Sequence, residues 1–211
     1  MDVQFFGANC LVFANKETRL VVDDNLVKLG GKTVTKPDDV VLFTGAHDEL
    51  VTTPKMLIDM PGEYETANVS ITGIPARSHL SEDENDKSAT IYKIVVGDLV
   101  YVVLGHVYPE LNDDQLEAIG MVDVLFVPVG GHGFTLDPVG ALKLIRVIDP
   151  KLIIPTHYDD KTLKYEVPQE SLEQALKEFA MEPKDKVDKL RVKSTELAEV
   201  TQLLVLEKVK A

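Results

Sequence analysis

Two β-sheets packed face to face, with helices outside them in a single domain, is the fold class that the sequence predicts. Three observations predict it. The first half consists of short β-rich apolar runs separated by turn residues. The second half alternates strand-like and helix-like segments, and no internal repeat or low-complexity linker divides the chain.

The strand-like runs of the first half are 3–6, 10–13, 19–22, 40–43, 69–74, 91–96 and 99–104. Asn15-Lys16, Gly30-Gly31, Pro61-Gly62 and Gly97-Asp98 punctuate them, and Gly97-Asp98, lying between two apolar runs, predicts a hairpin. The stretch 79–87, HLSEDENDK, reads as a charged loop. Residues 113–119 open with two acids and read as a helix, and 122–129 as a buried strand. Residues 137–148 carry Val139, Leu142, Ile145 and Ile148 at helical spacing. A strand at 152–154 follows, then a helix over 169–180 with Leu172, Ala175, Leu176 and Phe179 inward. The remainder, 182–211, reads as a C-terminal extension of the 1–211 domain, with one strand-like run at 202–206.

A chain of 211 residues with 45% hydrophobic content is long enough to bury a full core. No apolar run approaches the roughly 20 residues that span a bilayer, and the N-terminus carries an acid where a signal peptide has basic residues. A net charge of −13 argues against nucleic acid or an anionic membrane as partner. The basic residues between Lys184 and Lys193 read as a solvated face. The single cysteine, Cys10, suits a reducing cytosol and reads as a small buried apolar residue. The expected partner is therefore a small-molecule substrate, with homo-oligomerisation open.

The five histidines carry the most information. His47, His79, His106, His132 and His157 each lie a few residues beyond an apolar strand-like run. Strands of suitable direction bring such positions to one edge of the sheets, where sites in layered folds commonly form. Gathered neutral imidazoles are ligands for zinc, iron or manganese, and a catalytic zinc site uses three protein ligands plus water. Taken singly, each is also an ordinary loop histidine hydrogen-bonded to backbone.

Several stretches resemble the metallo-β-lactamase superfamily, specifically its branch of short metal-dependent hydrolases similar to L-ascorbate-6-phosphate lactonases. They are FFGANCLVF, RLVVDDNL, IDMPGEYETANVSITGIPARSH, DDQLEAIGMVDVLFVPVGG and TLDPVGALKLIRVIDPKLIIPTHY. The resemblance runs from Val3 to about Phe179 and implies an αββα sandwich. It also implies hydrolysis of a small ester, lactone or phosphoester by metal-bound hydroxide.

The family signature His-x-His-x-Asp-His, laid after Thr44, falls on Gly45, His47, Glu49 and Leu50. Gly45 and Leu50 offer no donor atom, and a one-residue shift makes Asp48 the signature acid instead of Glu49. His79 and His157 fall at family histidines. His106 stands where the family has an aspartate bridging two metals, and Asp23 where an aspartate supports the site from behind. The resemblance thus implies one divalent transition metal rather than two, with His47, His79, His106 and His157 as ligands. Glu49 or Asp48 would be the general base, and His132 and Tyr158 would line the substrate pocket. The same losses leave a second expectation: a non-catalytic descendant that binds a ligand or partner in the old pocket. Glu63 and Glu65, spaced to share one face of a strand, read as structural.

Overall fold

Alternation along the first strand decides which way it faces. Over Asp2–Gly7 (β1), Val3, Phe5 and Gly7 are buried while their neighbours are not. A computed structural model describes residues 1–209, so the last two residues of the expected 1–211 domain lie outside the described chain. After β1 come β2 (Cys10–Ala14), β3 (Arg19–Val22), β4 (Val40–Leu42), β5 (Met56–Ile58), β6 (Gly62–Thr66), β7 (Val69–Ala76), β8 (Ala89–Val96) and β9 (Leu99–Val103). Then follow α1 (Asp113–Ile119), β10 (Val124–Pro128), α2 (Pro138–Ile148), β11 (Leu152–Thr156) and α3 (Leu172–Phe179). The described chain closes with β12 (Lys186–Val187), β13 (Leu190–Arg191), β14 (Gln202–Leu203) and β15 (Val205–Leu206).

One sheet has the order β13-β1-β2-β3-β4-β5 and the other β14-β11-β10-β9-β8-β7-β6, while β12 pairs with β15. The antiparallel run β6 to β9 includes the expected hairpin, with Val96 opposite Leu99 and Gly97 at φ 61°. In contrast β3-β4-β5 and β9-β10-β11 are parallel, which requires crossover connections; α1 and α2 supply those of the second sheet. Each helix is capped at its start: Asn112, Asp137 and Ser171 each accept a backbone N–H from their own first turn. The third helix begins at Leu172 rather than 169 because Ser171 and Gln174 close a capping box there.

The sheets enclose one dry layer. Phe13 of the first sheet meets Tyr101 and Phe126 of the second edge-on, at 5.7 and 5.4 Å between ring centroids. The Tyr92 hydroxyl crosses that layer to donate to Ile58 O at 3.0 Å. All three helices cover the outer face of the second sheet, with Ile119, Leu144 and Phe179 inward. The outer face of the first sheet, with Cys10, Val12, Val41 and Phe43, is covered by Leu26 and Leu163 from irregular segments. The mixed α/β two-sheet sandwich is thus present with one helical layer. The segment 24–39, broken by Gly30, Gly31 and Pro37, cannot sustain a second.

Four strands escape the sequence pattern. β5 is only three residues long, β12 and β13 only two each, and β6 is an edge strand whose Glu63 and Glu65 both face solvent. The C-terminal segment is part of both sheets: β13 extends the first at β1, β14 extends the second at β11, and Arg191 clamps Asp2 at 2.8 and 2.9 Å. No helix among the described residues is long and apolar enough to cross a membrane.

Replacing Tyr92 by Phe is expected to lower unfolding free energy by about 1 kcal/mol in denaturant titration. The effect is small for a buried bond because Ile58 O keeps the Phe43 N–H at 3.0 Å.

Candidate functional site

The parallel strands end at one edge of the sandwich, and the polar residues that follow them meet there. Directly after β3, Asp23 takes a left-handed conformation (φ 50°), buried, and its two oxygens accept the Thr44 N–H at 2.7 Å and the Thr44 hydroxyl at 2.6 Å. Burial raises the Asp23 pKa to about 6, against the lowering effect of the Thr44 bonds. From the second sheet Gly105, at φ 60°, presses against Thr44. A Cβ at position 105 would stand 2.1 Å from Thr44 Oγ1, so only glycine fits there. This contact delivers His106, whose Nδ1 lies 3.4 Å from Thr44 Oγ1.

His157 follows β11, also left-handed at φ 54°, with its N–H on Ala8 O at 2.7 Å. Its Nδ1 meets Gln169 Oε1 at 2.9 Å. Gln169 reaches it because Gly130 has no side chain: a Cβ there would be 2.0 Å from Gln169 Oε1. Gly130 of the loop after β10 thereby makes room for a side chain of the chain itself. The rings of His106 and His157 stand 5.5 Å apart at 86°. Burial lowers the His157 pKa to about 3 and the His106 pKa to about 4; each is lowered further by a neighbouring imidazole, His106 and His79 respectively. Both are neutral at physiological pH.

These residues border a cavity of about 370 Å³. Asp23, His47, Asp48, His106 and His157 line it, whereas Glu49, His79, His132 and Tyr158 do not. His47 stacks on Phe43 at 4.1 Å, with Nδ1 on Asp48 O at 2.8 Å and Nε2 3.5 Å from Asp59. Glu49 is exposed beyond the rim. His79 sits behind His106, tied through its own N–H to His106 O at 2.8 Å, and its Nδ1 is buried without a partner. Two expectations are corrected. His132 turns outward at φ 55° toward Glu170, 3.4 Å away, and Tyr158 packs into the core against Phe5. The pocket wall instead includes Asn9, Lys28, Phe134, Tyr165, Glu166 and Gln169. Of these Asn9 lies in a stretch the sequence singles out, and Gln169 opens the helix expected over 169–180. The others come from irregular segments with no periodic signal.

The four-histidine metal set is also corrected. Among the described residues no group of three or more His, Cys, Asp or Glu side chains is arranged to hold a metal ion. The cause is local: Gly45 and Leu50 supply no donor, His47 is held against Phe43 and Asp59, and both Asp23 oxygens are engaged by Thr44. His106 and His157 remain as one adjacent pair, one ligand short of a three-ligand site. The residues present do not fit a resident metal centre.

A β-lactamase superfamily domain matches residues 2–157. A metal-dependent hydrolase from Archaeoglobus fulgidus is 29% identical over 112 residues, 49% of this chain and 47% of the relative. Another, from Carboxydothermus hydrogenoformans, is 48% identical over 44 residues, 21% of this chain and 19% of the relative. The match thus spans less than half the length of these curated relatives. Among solved structures, a Thermotoga maritima protein of the metallo-β-lactamase superfamily is similar at a TM-score of 0.73 and 23% identity, covering 98% of both chains. A metallo hydrolase from Ignicoccus hospitalis is similar at a TM-score of 0.61 and 15% identity, covering 99% of this chain and 96% of that one. At these identities the likeness is one of fold.

Substituting Gly105 with Ala is expected to destabilise the fold by about 3 kcal/mol, combining left-handed strain with overpacking against Thr44; equilibrium unfolding measures it. The pH dependence has a definite sign. Unfolded imidazoles titrate at their ordinary value, so between pH 6.5 and about 4 the unfolded chain binds more protons and stability falls as pH drops. From pH 7 to 5 each imidazole contributes a loss of about 2 kcal/mol. Asp23, raised to about 6, opposes them below that pH, one group against two. His157→Asn, which tolerates the left-handed backbone, is expected to flatten this acid limb of a thermal-midpoint series.

Proposed function

The chain belongs to the β-lactamase superfamily, and from that premise we propose that its strand-end cavity binds a small molecule without a resident metal ion. The observation that carries this reading is the donor set, two adjacent neutral imidazoles where a hydrolytic metal needs at least three ligands. The cavity supports it too. About 370 Å³ lies within the ordinary range for small-molecule sites, and Leu29, Leu80, Phe134 and Tyr165 give it apolar walls beside a few polar groups. Superfamily membership by itself assigns no activity.

A second reading is metal-dependent hydrolysis of a small ester, lactone or phosphoester. Two observations favour it. The relatives from A. fulgidus and C. hydrogenoformans are named metal-dependent hydrolases, and His106 and His157 each engage Nδ1 while Nε2 is left free, the posture of metal-bound imidazoles. The missing third donor weighs against it. A lactonase-like substrate rests on sequence resemblance alone, and a cytoplasmic location on the single buried cysteine.

Gly45 separates the two readings. A Cβ at that position would lie 3.9 Å from His106 Nδ1 with nothing closer than 3.8 Å, so a side chain there enters beside the imidazole pair. Protein purified after zinc or manganese supplementation is expected to carry less than ~0.2 ion per chain by elemental analysis, and Gly45→His to raise that uptake. Stoichiometric metal in the unaltered chain, with ester or phosphoester hydrolysis abolished by a chelator, would establish the second reading instead.

A further inference from the structure

The two imidazoles present the same hydrogen-bonding sense to the cavity. Gln169 Nε2 donates to Val167 O at 3.0 Å and Pro168 O at 3.1 Å, which fixes Oε1 as the atom facing His157. His157 Nδ1 therefore carries the hydrogen, and Nε2 of the neutral ring is an acceptor. Thr44 commits its hydroxyl hydrogen to Asp23, so toward His106 Nδ1 it accepts, and His106 Nε2 is an acceptor as well. Two lone pairs on rings 5.5 Å apart thus border a cavity whose complement is a ligand with N–H donors.

The charge of the wall points the same way. Among the described residues, Asp23, Asp48 and Glu166 stand on it against Lys28 alone, and Lys28 Nζ is paired with Glu166 at 3.0 Å. An anion entering here would meet imidazole lone pairs and carboxylates, with no free cation among the described residues of the wall. Phe134, edge-on to His106 at 6.3 Å, and Tyr165, 5.4 Å from His157, add aromatic surface that favours positive charge. We infer that the cavity binds a small organic cation bearing N–H donors, an amidinium or a primary ammonium on an apolar ring. The inference rests on the metal-free reading of the same pocket.

Benzamidine, benzamide and benzoate share a ring and differ in charge and donors, and zinc chloride tests the competing occupant. In calorimetric titrations at pH 8, benzamidine is expected to bind about tenfold more tightly than benzamide, and benzoate not measurably. His106→Phe, which keeps the ring and removes the acceptor, is expected to weaken benzamidine about tenfold with the circular dichroism spectrum unchanged. Should that variant not fold, the ranking of the three probes on the unaltered protein decides. Benzamide equal to benzamidine, benzoate tighter than either, or no probe bound overturns the cation assignment; in the first two cases the small-molecule pocket stands. Zinc bound at one ion per chain with no benzamidine binding overturns both readings.

Discussion

The buried bond between Asp23 and Thr44 holds the strand-end site together. The carboxylate takes both the backbone and the hydroxyl hydrogen of Thr44, and so locks the ends of β3 and β4 to each other. Thr44 also reaches the second sheet, since its carbonyl accepts the Thr90 N–H at 2.9 Å and Gly105 packs directly on its side chain. One residue of the first sheet thereby sets the height at which the second sheet delivers His106. A carboxylate fully withdrawn from water is tolerable because its oxygens are engaged, yet its raised pKa records that the desolvation is not fully offset.

Backbone strain gathers at the same edge. Ala8, Asp23 and His157 all take left-handed conformations, all border the cavity, and none is glycine. Such conformations persist where surrounding bonds over-determine them, and they concentrate at functional sites. Here the over-determination is visible: His157 N–H is held by Ala8 O, its ring by Gln169, and Asp23 by Thr44. The cavity is therefore organised before any ligand arrives, which lowers the ordering cost of binding.

That organisation does not depend on a bound ion. The aspartate after β3, the threonine after β4 and the histidine after β11 are tied into the wall by hydrogen bonds, while Gly45 and Leu50 nearby carry no donor side chain. Support and ligation are physically separable, because the supporting bonds run between backbone and buried side chains and do not pass through an ion. A pocket can keep its shape and exchange its chemistry.

The sequence by itself determined the layered α/β fold, the three helices and the Gly97-Asp98 hairpin. These follow from local periodicity and turn residues, which act over a few positions. It left β5, β6, β12 and β13 unread because strands of two or three residues and a solvent-facing edge strand have little apolar pattern. Only the tertiary structure decided which histidines share the cavity. His47 stays on the cavity wall but is held against Phe43 and Asp59, His132 is drawn off by Glu170, and His79 is held behind His106, through contacts between residues distant in the chain or differently oriented on it. Gln169, Lys28 and Tyr165 entered the wall from irregular segments for the same reason. Ring direction and hydrogen-bond partner are properties of packing, and no spacing along the chain encodes them.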